Sequence, residues 1–472
     1  MSTKKIISGT IYYGIIPKLT ILINVLILPL ITPYLTAEDY GIHGIVTSYA
    51  TVFLAIAPMG LHIHLTNSYY EYPNDYRKVW GRIFFLFLIL GFIFGVVNMI
   101  ILSLVLPRMP LVNLVLLSLI GSVQIFFFAN GVLAQTIFPL MERPRPLVFT
   151  NLLSSCLGII VSFILIYYLH LGYWGLISTV AVSTLASFLI FTKLICFDFD
   201  IRPIIERNKR RLHYFFRIAL PLVPHALGFA LLTSSARIIM TAFDVSYEDI
   251  GLFSHGCIMG DYAVIITSAL SIALVASIQK SYRNCQFNVF RKLYYLCQGV
   301  SLLSSSLFCI WMKEIYMLLI HNDSLAESAS IASLICFANV VLPLYTFMST
   351  TAFIEKNTKQ VLWLVFVPGI MNLIICLALI PYIGYRIAVY ASILAHWSQL
   401  LIPFLVSYYR STVSCWLGNK NKLIVIFLMM VTCLLISNSV SHCSIVFRGI
   451  VTMVLLSIFG YWYYSRKVFA IV

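Results

Sequence analysis

The stretch LTAEDYGIH at residues 35–43 returns as VSYEDIGLF at residues 245–253, in a chain of 472 residues. Each copy places a Glu-Asp-x-Gly turn between apolar segments, and the two copies lie 210 positions apart. An acid favours the N-terminus of the helix that follows such a turn, and glycine permits backbones to approach closely. The repeat therefore predicts two related halves. The turn residues are Glu38, Asp39, Gly41, Glu248, Asp249 and Gly251.

The composition is that of a membrane protein. Hydrophobic residues make up 61% of the chain and charged residues only 10%, whereas soluble domains carry roughly 25% charge; the mean hydropathy is +0.97. Tracts such as IFFLFLILGFIFGVVNMIILSLVL at 83–106 can cross a ~30 Å hydrocarbon core as about 20 helical residues. These tracts are continuous and lack the alternation of barrel strands. The fold class predicted is an all-α polytopic membrane protein.

Turn and charge signals cut the apolar sequence into about 14 transmembrane helices. The N-terminal MSTKK precedes a long apolar segment without an A-x-A cleavage site, so we interpret that segment as an uncleaved first helix. The predicted spans are 9–35, 40–66, 83–106, 111–138, 147–169, 173–196, 216–243, 250–278, 293–312, 328–354, 361–381, 387–408, 423–440 and 445–464.

The net charge is +15, and most of the lysines and arginines lie in the loops of this topology. With both termini inside, the inner segments hold 25 of the 31 lysines and arginines and the outer loops hold four. Positive charge collects on the cytoplasmic side of membrane proteins. The charge therefore supports cytoplasmic termini and removes the reason to invoke nucleic acid. Lys18 and Arg237 are the two cations left inside the membrane.

The repeated turn joins spans 1 and 2 in one copy and spans 7 and 8 in the other. A repeat of six spans is even, so both halves enter the membrane in the same sense, about an axis along the membrane normal. Proline-bearing stretches precede both turns, at 14–31 and 219–240, as is tolerated in helices that line a cavity. The predicted domains are an N-lobe at 1–196, a basic cytoplasmic linker at 197–217, a C-lobe at 218–410 and two extra helices at 411–472.

The sequence lacks the motifs that are typical of metal sites, nucleotide hydrolysis and metalloproteases. The eleven cysteines are scattered without a C-x-x-C pair, and His62 and His64 have no third or fourth ligand nearby, so no metal site and no resident cofactor are expected. No P-loop or H-E-x-x-H motif occurs. We therefore predict a protein that is not an enzyme.

Two cations at different depths are candidates for binding an anion. Arg237 lies seven residues before Asp244, roughly 10 Å from the outer turn, and Lys18 lies about 14 Å from the inner end of the first helix. Both could instead extend their charged ends to the membrane surface, or Arg237 could pair with Asp244 or Asp261. His225, on the helix of Arg237, is a further candidate for the anion cavity.

Asp261 is the one acid well inside a predicted span, roughly 18 Å past Asp249. A carboxylate there predicts a proton or sodium site, with a salt bridge to Arg237 as the alternative. His255 could titrate with it, although lone helical histidines are commonly packing residues. The basic linker could contact anionic lipid headgroups or serve topology alone.

Two stretches carry a family resemblance: SGTIYYGIIPKLTILINVLILPLITPYLTAEDYGIHG at the start, and ALPLVPHALGFALLTSSARIIMTAFDVSYEDIGLFSHG at the head of the second half. They resemble bacterial polysaccharide or O-antigen flippases of the multidrug/oligosaccharidyl-lipid/polysaccharide exporter superfamily, whose fold is MATE-like, over about residues 1–410. Two departures are the extra helices 13 and 14 and Ala236, where an acid is expected before the arginine.

The resemblance implies two six-helix lobes in a V around a central cavity. By alternating access, such a protein moves an undecaprenyl-pyrophosphate-linked oligosaccharide across the bacterial inner membrane. Expected partners are that lipid-linked oligosaccharide, membrane lipids, and a polymerase and chain-length regulator of the same pathway. Lipopolysaccharide biosynthesis is one such pathway.

Three rival functions come from other classes. A drug or metabolite antiporter of the same fold would favour acidic cavity residues, because many drugs are cations. A glycan polymerase or membrane acyltransferase would need a sizeable outer loop or a placed acid and base, and the outer loops are short. A purely structural protein would leave the charges inside the membrane unexplained.

Overall fold

The computed structural model describes residues 16–465, with side chains over 21–461 except at position 358. Within this range the chain forms helices and no β-strand. Continuous apolar tracts fold this way because a helix satisfies its own backbone hydrogen bonds where water is absent. The chain divides after Gly251 into two compact units, called here the first unit and the second unit.

The first unit holds ten α-helices among its described residues, and short π-helical segments, Ile164–Tyr168 and Lys193–Asp198, extend two of them. The ten are α1 (Ile16–Ile31), α2 (Ala37–Ile56), α3 (His62–Glu71), α4 (Tyr76–Val105), α5 (Leu111–Phe126), α6 (Phe128–Leu140), α7 (Pro144–Phe163), α8 (Tyr173–Thr192), α9 (Lys209–Ala219) and α10 (Val223–Ala242).

The following helices belong to the second unit, except that the first five residues of α11 lie in the first unit. They are α11 (Tyr247–Arg283), α12 (Phe287–Leu319), α13 (Ser328–Ala338), α14 (Leu342–Ile354), α15 (Thr358–Ile383), α16 (Ile387–Trp397), α17 (Ile402–Leu405), α18 (Ser407–Leu417), α19 (Lys422–Val440) and α20 (Ile445–Ser465).

Helical structure lies in each of the fourteen predicted segments. Among the described residues, ten helical segments are long and apolar enough to cross a membrane, and two shorter apolar helices cover Ile21–Tyr34 and Ile445–Tyr461. The ten are Tyr76–Val105, Leu111–Leu140, Pro144–Tyr168, Tyr173–Asp198, Lys209–Ala242, Tyr247–Arg283, Phe287–Leu319, Ser328–Ile354, Lys359–Ile383 and Lys422–Val440.

Each unit has its own aromatic core. In the first unit, Trp80 is fully buried among apolar side chains and donates its indole N–H to the Leu65 carbonyl at 2.9 Å. In the second unit, the ring centroids of Phe290 and Tyr294 lie 5.3 and 5.0 Å from that of Trp416, where α12 meets α18. Both tryptophans bury a large apolar area, but among the described residues the Trp416 indole nitrogen has no hydrogen-bond partner.

Short breaks interrupt several spans. The 3-10 turn Leu220–Leu222, which contains Pro221, separates α9 from α10, and Pro29 lies inside α1. A second 3-10 turn, Asn339–Val341, separates α13 from α14. Proline removes a backbone donor and crowds the preceding turn, so the first break follows from the sequence.

The predicted linker is fastened to the first unit. The Ile204 backbone N–H donates to the Gly81 carbonyl at 2.9 Å. The carboxylate of Glu206, 6% exposed, forms salt bridges with Arg82 at 3.1 Å and Arg211 at 2.8 Å. The other five cations of the linker are exposed, as contact with lipid headgroups would require. They are Arg202, Arg207, Lys209, Arg210 and Arg217.

Candidate functional site

The two repeated turns begin helices α2 and α11 through the same kind of cap. The Thr36 hydroxyl accepts a hydrogen bond from the Asp39 N–H at 3.2 Å, and the Asp39 carboxylate accepts from the Thr36 N–H at 2.7 Å. In the second copy the Ser246 hydroxyl accepts from the Asp249 N–H at 3.1 Å. Such caps satisfy backbone donors that the first helical turn leaves open.

The two glycines of the turns lie against each other's helix. A Cβ added to Gly41 would stand 1.9 Å from the Tyr247 carbonyl oxygen, and one added to Gly251 would stand 1.7 Å from the Ala37 carbonyl oxygen. Ala37 precedes Gly41 by four residues, as Tyr247 precedes Gly251. The contact is therefore reciprocal, and only glycine fits at either position without a backbone shift. This is the reason why the turn carries a glycine in both copies.

The acids of the turns have different surroundings. Asp39 is buried and accepts a hydrogen bond from the Tyr173 N–H, at the start of α8, at 2.8 Å. Glu38 and Glu248 are exposed, and Asp249 is half-buried. Asp39 thus holds two helix starts of the first unit together.

Arg237 lies five residues before the end of α10, half-buried. Its Nη1 donates to the Thr233 carbonyl one turn earlier at 3.1 Å. Helix α10 packs against α2, and His43 of α2 is close enough to interact electrostatically with the guanidinium. The His43 Nδ1 atom is buried, and no described residue offers it a hydrogen bond.

The other two predicted anion-binding residues are less defined. His225 is half-buried near the start of α10, and among the described residues its Nε2 has no hydrogen-bond partner. Lys18 lies on α1, but its side chain is outside the described part of the chain.

Asp261 of α11 meets the break between α13 and α14 in the second unit. Its Oδ1 accepts a hydrogen bond from the Asn339 side-chain amide at 2.7 Å, and the carboxylate is exposed. The helices approach closely because Gly256 and Gly260 face α13, where an added Cβ would stand 2.6–2.8 Å from side-chain carbons of Ile331 and Ile335. A carboxylate beside an interrupted span is a common setting for a coupling ion in transporters.

His255 has the surroundings of a packing residue. It is 1% exposed, and its Nδ1 is 2.7 Å from the Ser328 hydroxyl and 3.3 Å from the Tyr316 hydroxyl. The Ser328 hydroxyl also donates to the Leu325 carbonyl at 2.6 Å. This network joins α11, α12 and α13 through side chains of the second unit.

Sequence reasoning missed three features of these surroundings. His43 lies two residues after the first turn glycine, and Phe253 stands at the matching place in the second copy. Asn339 is a neutral amide shortly before Pro343, and the spacing Gly256-x-x-x-Gly260 is the kind that permits close helix packing. The glycine spacing was a usable signal.

Comparison with known proteins gives a family and a fold. The family model described as polysaccharide biosynthesis protein matches residues 6–282. No match was found among curated proteins.

Two solved structures resemble the chain at low identity. The structure of lipid II flippase MurJ in an inward closed conformation has a TM-score of 0.66 and 15% identity, covering 97% of this chain and 99% of that one. An inward-facing multidrug resistance MATE family transporter of the MOP superfamily has a TM-score of 0.64 and 14% identity, covering 89% and 99%. At such identity the likeness shows the fold.

Proposed function

Because the chain belongs to the family of polysaccharide biosynthesis proteins, we propose that it is a flippase for a lipid-linked oligosaccharide. The substrate is an undecaprenyl-pyrophosphate-linked repeat unit of O-antigen or a similar surface polysaccharide. It passes from the cytoplasmic to the periplasmic side of the bacterial inner membrane by alternating access. The protein works as a transporter and not as an enzyme, with a proton or sodium gradient as its energy source.

Arg237 is the observation that carries this proposal. A half-buried guanidinium on an apolar helix is costly in a membrane and is retained where it serves a function. Its planar group can donate paired hydrogen bonds to a diphosphate or an acidic sugar. Thr233, one turn earlier on α10, is exposed and adds a hydroxyl group of the kind that accepts hydrogen bonds from sugars and donates to them.

The fold supports the same function. A solved structure of the same fold is that of a lipid II flippase, and a lipid-linked substrate of this chain would pose a similar physical problem. The polar group must cross hydrocarbon while its tail stays in the membrane. In this proposal fourteen helices form two six-helix lobes in a V plus the final pair, both termini are cytoplasmic, and a polymerase and chain-length regulator receive the product.

One observation favours a second candidate, an antiporter that exchanges a cationic drug or metabolite for protons or sodium. The exposed carboxylate of Asp261 could hold a cation, and a multidrug transporter shares the fold. The two candidates differ in the sign of the substrate charge, so variants of Arg237 separate them.

The test replaces Arg237 with alanine or lysine in cells whose surface glycan can be measured. We expect Arg237→Ala to eliminate export of the glycan and Arg237→Lys to retain part of it, because charge matters first and the planar shape second. The matched control is Arg386→Ala, which removes an exposed arginine that pairs with Glu327 at 3.2 Å in the second unit. All three proteins should insert in normal amounts.

Normal surface glycan with alanine at position 237 would contradict the anion-cavity mechanism. If Arg237→Ala instead causes loss of resistance to a cationic drug and leaves the glycan unchanged, the result would favour the antiporter.

A further inference from the structure

A cavity of about 670 Å³ lies within the second unit, between α12, α19 and α20. Its walls are largely apolar and include Leu302, Ile426, Leu455 and Phe459. The volume falls within the range of small-molecule sites, roughly 300–1,000 Å³. Nothing in the proposed transport route uses this cavity, which has its own lining and its own charge.

Helix α20 is pinned to α12 away from the cavity. Arg448 forms a salt bridge with Glu314 at 2.6 Å, and the Trp311 indole donates to the Thr452 hydroxyl at 2.9 Å. Nearer the cavity, Phe459 lies against Gly299, where an added Cβ would be 2.9 Å from its ring. The pinned end fixes α20, so the cavity is a formed feature and not a loose gap between helices.

Three cations line one end of the cavity: Arg291, Lys292 and Lys422. Arg291 Nη1 and Lys422 Nζ each lie 3.4 Å from the point where a Cβ on Gly418 would stand. The two nitrogens are therefore no further apart than twice that distance. Two positive charges this close raise each other's energy unless an anion joins them.

The hydrogen bonds of these cations lead to neutral groups. Arg291 Nη2 donates to the Asn288 side-chain oxygen at 2.8 Å, and Lys422 Nζ donates to the Leu417 carbonyl at 3.0 Å. Among the described residues, none of the three cations takes part in a salt bridge. The end of the cavity thus carries a concentrated positive charge with room for an anion.

The cavity extends from this charged end into apolar surroundings. Arg291 and Ser306 both line it, and fifteen steps along helix α12 separate them, a distance of about 22 Å. One leaflet of the hydrocarbon core is about 15 Å deep, so the cavity can take an acyl chain. The charge distribution of the loops predicts that Arg291 and Lys422 lie at the cytoplasmic surface. Basic pockets between membrane helices on that side suit anionic lipid headgroups.

We propose that this cavity binds an anionic glycerophospholipid of the cytoplasmic leaflet. Its phosphate lies between Arg291 and Lys422, and one acyl chain lies along α12, α19 and α20. An acyl chain matches the length of the cavity better than the much longer undecaprenyl chain of the transport substrate. The inference rests on the predicted orientation of the chain in the membrane, and it does not depend on the proposed flippase activity.

The test uses the full-length protein in detergent and native mass spectrometry with added lipid. Phosphatidylglycerol should remain bound, whereas phosphatidylcholine with the same acyl chains should not. The double variant Arg291→Gln/Lys422→Gln should bind phosphatidylglycerol about 30-fold more weakly, since each cation near an anionic lipid contributes to affinity. The charge-preserving pair Arg291→Lys/Lys422→Arg should bind it almost normally.

A matched control removes two cations elsewhere. Lys280→Gln/Arg283→Gln changes exposed residues in the last turn of α11 and should leave binding unchanged. If the double glutamine variant does not insert, Leu303→Trp tests the site differently, because it fills the apolar part and leaves all three cations in place.

Three results would overturn the proposal. Equal binding of phosphatidylcholine would show that the cavity does not select lipids by headgroup charge. Equal losses in the two glutamine pairs would place the lipid elsewhere. Binding of undecaprenyl phosphate in preference to phosphatidylglycerol would make the cavity a part of the transport route.

Discussion

At the scale of single residues, Asp261 combines two features of a coupling-ion site. It is an acid in an apolar helix, and it faces a break in a neighbouring span through its hydrogen bond from Asn339. An amide donor stabilises a carboxylate without neutralising it, so the oxygen can still take a proton or a sodium ion. The salt-bridge alternative would give the same residue a structural role only.

Replacing Asp261 with asparagine separates these roles. Asp261→Asn keeps the size and one hydrogen-bond acceptor but loses the charge, so we expect gradient-driven transport to be abolished while the protein inserts and folds. Transport into inverted vesicles with and without an imposed proton or sodium gradient measures this. Asn339→Ala is the companion variant, expected to weaken transport without abolishing it. Loss of Asp261→Asn protein from the membrane would favour the structural role.

The sequence singled out Arg237 and Asp261 as candidates and missed the neutral side chains of His43 and Asn339. Arg237 and Asp261 stand out because charge is rare in an apolar span. Asn339 and His43 do not, since neutral polar residues are frequent in membrane helices and acquire meaning only from what they face. Which helices pack on each other is a tertiary property, and residue spacing along one chain does not contain it.

At the scale of elements, the two repeated turns bring the first turns of α2 and α11 into contact with each other, a contact called here the crossing. Both α2 and α11 begin with a hydroxyl cap, and their glycines touch the opposite backbone. The cap fixes where each helix begins, and the missing side chain allows the two backbones to meet. Because each glycine meets the residue four places before the other, a change at either one disturbs the same contact.

Alanine at these glycines tests the crossing. A methyl group at Gly41 or Gly251 would overlap a carbonyl oxygen, so we expect each variant to lose about 1–3 kcal/mol, the usual range for overpacking. Gly131→Ala in α6 is the control, because an added Cβ there meets nothing within 4 Å and alanine favours helix. Thermal unfolding in detergent should show opposite shifts. Equal stability of all three would show that the crossing is not tightly packed.

The linker is a second element whose behaviour follows from one carboxylate. Burial of Glu206 opposes its ionisation, but the Asn208 N–H and the guanidinium groups of Arg211 and Arg82 outweigh this and lower its pKa. A carboxyl with a lowered pKa stabilises the folded linker above the ordinary glutamate value of 4.5. That stabilisation is lost as the pH falls through the lowered pKa.

We expect Glu206→Gln to release the linker at neutral pH. Trypsin should then cleave after the exposed cations at 207–210 about fivefold faster or more, since charged hydrogen bonds are lost. Asp200→Asn, which removes an exposed acid 3.4 Å from Arg202, is the control and should not change the rate. Equal cleavage of wild type and Glu206→Gln would contradict the anchoring role.

At the scale of the whole molecule, hydropathy identified the class and the helical segments. A continuous apolar tract in lipid satisfies its own backbone hydrogen bonds by forming a helix. Hydropathy alone did not locate the breaks at 57–61 and 339–341, although Pro58 and Gly60 in the first and Pro343 just after the second are residues that favour such breaks. The number of crossings and the lobe boundaries stay predictions. Both are set by where the chain meets the membrane surface, which charge distribution predicts more directly than packing does.

Reporter fusions test that topology. Alkaline phosphatase becomes active only where its disulfides form, outside the cytoplasm. A fusion after residue 210 should therefore be inactive, because the linker carries six of the 25 inner cations. A fusion after Asp323, in a predicted outer loop, should be active, and it serves as the matched control for expression. The two sites are separated by three predicted spans, an odd number, so they must lie on opposite sides. Activity after residue 210 would reverse the orientation, and equal activity at both sites would remove one crossing between them.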